Sequence, residues 1–400
     1  MKAVLLVAYG SGHIKMIVPV AQALAASGLV RPVVLALTTA ALVTRAAGLE
    51  VVQFKDFATP DDASALEHGR QLMADLGGDV VDADETAAYL GLSYADLVES
   101  LGAAGAAAAY AQRGRQSFLP LGTMRRVLAQ LQPDLVVATN SPRAERAAIV
   151  AAGEAGIPSV CLVDLFAIDE VKWIGEPNYA DRVCVLNESV RRFLIDSGRR
   201  PEQVIVTGNP GFDALNQVET RDAGQALRLA HGWAGKKVIL WPNQVEPAIH
   251  PFAQRRGDPG LPGRVLQRLS AWVLSQPDVV LCIRARAGEA PTLGDANPRT
   301  VMTGQDWPLA PLLHAVDLVV TLNSTVGLEG HLAGCRLIQV LGSVFDEAMP
   351  LARYGIADEA VQEVALVKAL QTWIAAPRRP TVNGDAAATQ RVIDVLAGFL

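Results

Sequence analysis

The sequence predicts an α/β protein built from two doubly wound, Rossmann-like domains that face a central cleft. Three observations carry this expectation. Short apolar runs alternate with longer helical patterns, which is the signature of βαβ units and a parallel sheet. A glycine-bearing turn at Gly10 and Gly12 follows the first of those runs. The length of 400 residues exceeds one ordinary core.

The elements can be taken in order. Residues 4–7 read as the first strand, and 14–26 as the helix after the glycine turn. Strands follow at 33–37 and 50–54. Residues 56–120 break the rhythm: polar, acidic and Ala-rich, they read as helices inserted above the sheet. The alternation resumes with strands at 135–138, 159–163, 182–185 and 204–206, and a helix at 143–155. A second series starts afresh, with strands at 237–241, 279–283, 317–320 and 337–340 and a helix at 263–275. The turn at 208–211 marks the seam. The expected domains are therefore 1–206, carrying the insertion, and 207–384, with a last helix at 385–400 able to return to the first. In such sheets ligands bind beyond the carboxyl ends of the strands, so the loops there are where chemistry is sought.

Half of the residues are hydrophobic and 19% are charged, ample material for two cores. The formal charge of -6 argues against a nucleic-acid partner, because phosphate neutralisation needs a surplus of Lys and Arg. Cys161, Cys184, Cys282 and Cys335 are widely spaced in apolar runs without a CxxC. They read as buried reduced thiols, which suits the cytoplasm. Residues 1–9 are too short for a secretory h-region with its cleavage site, and the Ala-rich stretch 101–109 is too short to span a bilayer. The expectation is a soluble, cytoplasmic chain without a transmembrane segment, with room left for peripheral membrane contact and for a homodimer.

The first chemical signal is Gly10-Ser11-Gly12-His13. A glycine turn lets backbone approach a ligand, and the helix N-terminus behind it favours anions. The spacing is neither G-x-G-x-x-G nor a P-loop. His13 stands where the helix begins; it could take a proton from a hydroxyl, or merely hydrogen-bond the turn. The second signal is residues 323–335. Ser324 and Thr325 at a helix start offer donors to phosphate, and Glu329 lies a turn further in, able to accept from two sugar hydroxyls or to stand as an ordinary surface glutamate. Asn243 and Arg284 end strands of the second series, and Arg284 could neutralise a diphosphate. Trp307 could stack on a base or pack beside Pro308. Asp346 and Glu347 could bind sugar hydroxyls or be loop charges. Lys15, Asn140, Ser141 and Arg143 stand on the first helix or after a strand of the first domain. Asp82-Ala83-Asp84 spells a DxD but lies in the acidic insertion, away from a strand end. No H-E-x-x-H or G-x-S-x-G occurs, so neither a metal site nor a hydrolase triad is argued.

The stretch 9–24, YGSGHIKMIVPVAQAL, resembles the opening of GT-B glycosyltransferases, with a G-x-x-G-H-x-x-P-like turn. It also resembles the opening of UDP-N-acetylglucosamine 2-epimerases, where an A-I-K-M-A-P run follows the loop. Residues 324–334 fit S-T-x-G-x-E-x-x-x-x-G, which resembles the donor-binding helix of GT-B enzymes, including transferases of capsule synthesis. Residues 307–317 resemble the base-contacting loop of that fold, and 206–215 the T-G-N-x-x-x-D-A-L hinge motif of the epimerases and their relatives. The resemblance implies a GT-B fold and an inverting, metal-independent glycosyltransferase that needs no cofactor. It would move a sugar from a nucleotide-sugar, UDP-linked, to a hydroxyl acceptor, in surface polysaccharide or glycoconjugate synthesis. His13 would be the general base, oriented by Asp164. Gly12, Gly208, Asn209, Asn243, Arg284, Trp307, Ser324, Thr325, Glu329, Asp346 and Glu347 would serve the donor. Lys15, Asn140, Ser141 and Arg143 would serve the acceptor. One alternative is a UDP-GlcNAc 2-epimerase or UDP-sugar hydrolase; another is a nucleotide-sugar-binding protein without catalysis. The chain departs from the epimerase pattern in carrying Asn140 where an acidic residue is expected and Leu328-Glu329 in place of paired glutamates.

Overall fold

The computed structural model describes residues 1–74, 82–250, 255–285, 299–304, 306–381 and 388–400. The chain forms two compact units, Met1–Gly211 with Ala387–Leu400 and Phe212–Ala386. The division thus falls after Gly211, at the end of the 208–211 turn and five residues beyond the expected end of the first domain at 206.

The first unit runs β1 (Lys2–Ala8), α1 (Gly12–Ala26), β2 (Val30–Ala36), α2 (Ala40–Ala46) and β3 (Glu50–Val52). The insertion follows as α3 (Ala63–Ala74), α4 (Ala83–Arg113) and α5 (Leu121–Leu131). Then come β4 (Leu135–Thr139), α6 (Ala144–Glu154), β5 (Ser159–Leu162), α7 (Val171–Ile174), β6 (Arg182–Val185), α8 (Glu188–Asp196) and β7 (Val204–Val206). All neighbours are parallel, in the order β3-β2-β1-β4-β5-β6-β7. A parallel sheet is covered on both faces, which is why its strands read as apolar runs rather than alternations. Residues 4–8 and 135–138 are all buried. On one face α1 lays down Ile14, Ile17, Val20, Ala21 and Leu24, spaced as one helical stripe.

The second unit runs α9 (Val218–Ala230), β8 (Lys237–Pro242), α10 (Leu261–Leu274), β9 (Val279–Arg284), β10 (Thr300–Thr303), α11 (Leu309–Ala315), β11 (Leu318–Thr321), α12 (Thr325–Leu332), β12 (Arg336–Leu341), β13 (Glu359–Gln362) and α13 (Leu366–Trp373). Its sheet is parallel throughout, in the order β10-β9-β8-β11-β12-β13. Counted from the first strand of each unit, both sheets share the doubly wound order 3-2-1-4-5-6, and the first adds one strand at its end. The order reverses between β1 and β4 in one unit and between β8 and β11 in the other. A crevice opens at such a switch point because the flanking helices depart to opposite faces.

The chain ends with α14 (Ala388–Ala397), which packs on α1. Its Val392 and Leu396 are fully buried in the first unit's core. Residues 385–387 of the expected helix lie outside the described residues. In the insertion, α3 and α4 touch backbone to backbone at Gly69 and Gly91. A Cβ on Gly91 would sit 2.0 Å from the Ala65 carbonyl oxygen, and one on Gly69 2.0 Å from that of Ala87. Only glycine permits that approach. Among the described residues no helix is long and apolar enough to cross a membrane. All four cysteines are buried and free.

Candidate functional site

In the first unit the loop after β1 turns sharply at Ser11, whose φ of 62 is unusual for a residue with a side chain. The turn starts α1 at Gly12 and places His13 in the first helical turn. Gly12 is exposed, with open space where a side chain would stand. His13 Nε2 lies 3.9 Å from Asp164 Oδ2, an ion-pair distance longer than a hydrogen bond. His13 Nδ1 is buried and has no hydrogen-bond partner.

Asp164, just beyond β5, is held from several sides. Its Oδ1 accepts from Asn140 Nδ2 at 3.0 Å and from the Leu165 amide at 2.7 Å. Its amide donates back to Asn140 Oδ1 at 3.0 Å. Its carbonyl accepts from Asn209 Nδ2 at 2.8 Å, and Asn209 Oδ1 accepts from the Gly211 amide at 2.8 Å. The loops after β4, β5 and β7 thus join Asn140, Asp164 and Asn209 in one hydrogen-bonded network, and the loop after β1 brings His13 up to it.

One member of this region was not singled out in the sequence. Burial and then the charge of Asp164 push the Glu170 carboxyl up to about 7. The signal available was an acidic pair, Asp169-Glu170, just past a strand end where apolar residues dominate. A carboxyl that holds its proton near neutrality is a group suited to acid–base work.

The remaining first-unit candidates stand apart from the network. Lys15 is exposed on α1, beside Gly211. Ser141 is buried. The Arg143 guanidinium lies 5.0 Å from the centroid of the Tyr9 ring. Gly208, expected in the second domain with Asn209, belongs with it to the first unit. Its φ is 79, and a Cβ there would meet the Cβ of Ala388 at 3.2 Å, so α14 covers it. Asp82 caps α4 through the Glu85 amide at 3.0 Å and pairs with Lys55 at 2.6 Å. These are structural tasks for the DxD. Among the described residues no group of three or more His, Cys, Asp and Glu is arranged to hold a metal.

In the second unit the switch point is lined by amides and hydroxyls. Gln244 Oε1 accepts from Thr321 Oγ1 at 2.8 Å and from the Leu322 amide at 2.9 Å, and its Nε2 donates to Asn323 Oδ1 at 2.6 Å. Asn323 donates to Ser343 Oγ, which donates to Glu246 Oε2 at 2.7 Å. Glu246 is 2% exposed, and its other oxygen accepts from the Val344 amide at 2.7 Å. Gln244, Glu246 and Ser343 carry this network, yet a lone amide or carboxylate in a loop gives no sign of it in the sequence.

That network sets the start of α12. Ser324 caps the helix through the Val326 amide at 3.3 Å, and its own amide donates to Thr321 Oγ1 at 3.0 Å. Thr325 is exposed at the first helical position. Glu329, partly buried, lies in electrostatic reach of Arg284.

Arg284 is tied to its own unit through one guanidinium nitrogen. Its Nη1 donates to the Trp307 carbonyl at 2.8 Å and to the Gly304 carbonyl at 3.3 Å. Burial lowers its proton affinity while Glu329 and Asp306 oppose that shift. It therefore ties the 304–307 loop to the end of β9, beside Glu329. Asn243 continues the ladder, its amide donating to the Arg284 carbonyl at 2.9 Å. Trp307 packs on its own unit, its ring 4.4 Å from that of His231 and 6.2 Å from that of Trp233. Asp346 accepts from the Gly342 amide at 2.7 Å, and burial raises its proton affinity. Glu347 is exposed and pairs with Arg255 at 2.8 Å.

No protein-family model matches the chain, and no curated protein sequence matches it. Solved structures do. The chain is similar over 100% of its length to UDP-GlcNAc 2-epimerase from Methanocaldococcus jannaschii, 100% of which is covered, with 11% identity and a TM-score of 0.59. It is similar over 99% of its length to UDP-GlcNAc 2-epimerase from Neisseria meningitidis bound to UDP-GlcNAc, 100% of which is covered, with 13% identity and a TM-score of 0.58. It is similar over 100% of its length to the glycotransferase of kitacinnamycin, 99% of which is covered, with 15% identity and a TM-score of 0.56. The fold is the one common to UDP-GlcNAc 2-epimerases and GT-B glycosyltransferases.

Proposed function

We propose that this chain is a nucleotide-sugar enzyme, and specifically an inverting, metal-independent glycosyltransferase acting from a UDP-linked donor on a hydroxyl acceptor. The observation that carries the reading is His13 at the start of α1, 3.9 Å from an Asp164 carboxylate whose orientation is locked by Asn140 and the Leu165 amide. The fold it shares with UDP-sugar enzymes supports the donor class.

In the proposed reaction the acceptor oxygen attacks the anomeric carbon opposite the leaving diphosphate. His13 takes the hydroxyl proton as the new C–O bond forms, and the bond to the diphosphate oxygen breaks with its electron pair. Asp164 stabilises the imidazolium that results. The exposed amide end of α12, with Ser324 and Thr325, offers donors to the departing diphosphate, whose charge grows in the transition state. Glu329 would hold the ribose, with Arg284 placing the loop that carries Trp307.

A second reading, epimerisation at C2 of a UDP-sugar, is favoured by one observation: Glu170 with its carboxyl near 7 beside the charge of Asp164. A carboxyl that titrates near neutrality in the same region as a second carboxyl suits removal and return of a proton on the sugar. One experiment separates the two. UDP-GlcNAc is incubated with the full chain, alone and with a panel of hydroxyl acceptors, and followed by proton NMR. Transfer predicts an inert donor alone and UDP release with the right acceptor. Epimer or free sugar without an acceptor overturns transfer in favour of the second reading. Failure of UDP and UDP-GlcNAc to raise the melting temperature overturns both.

A further inference from the structure

Past the ends of β1 and β4 lies a group of charged and aromatic side chains that the proposed reaction leaves unused. Arg143 is the N-cap residue of α6 and Arg146 lies in its first turn, and Arg115 follows α4 of the insertion. All three are partly buried. Among the described residues none of the three guanidinium groups makes a hydrogen bond or an ion pair; Arg146 Nε is buried and without a partner. Arg143 lies 5.0 Å from the centroid of the Tyr9 ring, and Arg146 5.0 Å from that of Trp173.

Tyr89 closes the group from the insertion side. It is 2% exposed, packs edge-on to Phe118 at 6.2 Å, and feels the charges of Arg143, Glu145 and Arg115. Its hydroxyl is buried and has no partner. Glu145 is the one carboxylate within the group. Its Oε1 accepts from the Tyr9 amide at 2.7 Å, and its Oε2 is buried without a partner. It offsets one of three positive charges.

Partly buried guanidinium groups are costly unless paired, and an arginine fork matches phosphate and carboxylate oxygens. The N-terminus of α6, which is 11 residues long, adds positive potential at the same place. A buried phenol hydroxyl free to donate completes an anion's coordination. We infer that Arg115, Arg143, Arg146 and Tyr89 form an anion subsite in the first unit, which takes a phosphate or carboxylate group carried by the acceptor. The inference deepens the transferase reading and rests on it for the word acceptor; the anion site itself does not depend on it. The acceptor class is then a hydroxyl compound bearing an acidic group, with its apolar part against Tyr9 and Trp173.

The test is a binding titration on the full chain with inorganic phosphate, and in a second arm with acetate, both in saturating UDP to occupy any diphosphate site. Phosphate or acetate should raise the melting temperature of the wild type. Arg143→Gln should weaken the effective anion by tenfold or more, and Arg115→Gln should do so in a separate chain should the first fold poorly. Tyr89→Phe removes a hydroxyl that no protein group uses, so it should leave the fold intact and still weaken the anion about threefold. A response to phosphate alone assigns a phosphate-bearing acceptor, and one to acetate as well assigns a carboxylate. Equal titrations in wild type and all three variants overturn the subsite. Loss of the UDP response with the Arg143 effect retained would overturn the donor reading and leave the subsite standing.

Discussion

The two units wind their strands in the same order and finish the switch point with different chemistry. In the first, the loops after β1 and β5 carry the His13 imidazole, the Asp164 carboxyl 3.9 Å from it, and Glu170, whose carboxyl is held near 7. Buried polar atoms of His13, Thr139 and Glu145 there have no protein partner. In the second, the loops after β8, β11 and β12 bring together Gln244, Thr321, Asn323 and Ser343, joined by hydrogen bonds that end on Glu246. Titratable groups left with spare hydrogen-bonding capacity can exchange protons with a substrate. A saturated network of amides and hydroxyls holds a loop in one shape and leaves helix donors pointing outward. Under the proposed function the first would be the reactive crevice and the second the rigid, receiving one.

The largest expected effect is at the reactive side. His13→Ala should lower turnover by about 10²–10⁴-fold, the range of a general base, with UDP affinity unchanged in calorimetry. Turnover above half of wild type would break the contrast at its centre. On the receiving side, Gln244→Ala removes the acceptor used by Thr321 and the Leu322 amide. It should cost about 1–3 kcal/mol in urea unfolding, the penalty of unsatisfied buried donors, and raise KM for the donor more than it lowers kcat. The opposite split would mean that this crevice also does chemistry.

The core offers a related test. Leu396→Ala, at the fully buried end of α14, should cost about 2–5 kcal/mol as a large-to-small change in a packed core. A change within error would show that α14 contributes little to the first unit.

The smallest effect is a pH slope. A glutamate in the unfolded chain ionises near its ordinary value of about 4.3, whereas Glu170 in the folded chain keeps its proton up to about 7. Between those values the folded state binds more protons, so stability falls as pH rises and levels off above 7. Glu85, also pushed up to about 7 by burial, contributes with the same sign. Glu170→Gln should flatten the slope between pH 5 and 7 in urea midpoints. An unchanged slope would assign it wholly to Glu85 and remove Glu170 from the contrast.

Most strands were legible because buried parallel strands are apolar along their whole length. The first unit's seven observed strands each overlap an expected one. In the second unit β10 and β13 went unseen. Both lie at sheet edges, where one side lacks a neighbour, and residues 300–303 and 359–362 are correspondingly half-exposed and mixed in character. The site was legible only in part. His13 and Ser324 stand at helix starts that follow strands, a local pattern. Glu170 depends on the burial of its loop, and Arg284 on where the 304–307 carbonyls turn, neither of which leaves a local trace.

What the sequence determined by itself was the alternation of buried strands and amphipathic helices, since periodicity and apolar content are properties of neighbouring residues. The placement of polar residues just beyond strand ends followed from the same alternation. The tertiary structure alone decided that Asp164 lies 3.9 Å from His13, that Arg284 Nη1 binds loop carbonyls, and that Gly208 packs beside Ala388 of α14. Those facts join residues that are far apart along the chain, and only the order in which strands are laid side by side brings such residues into contact.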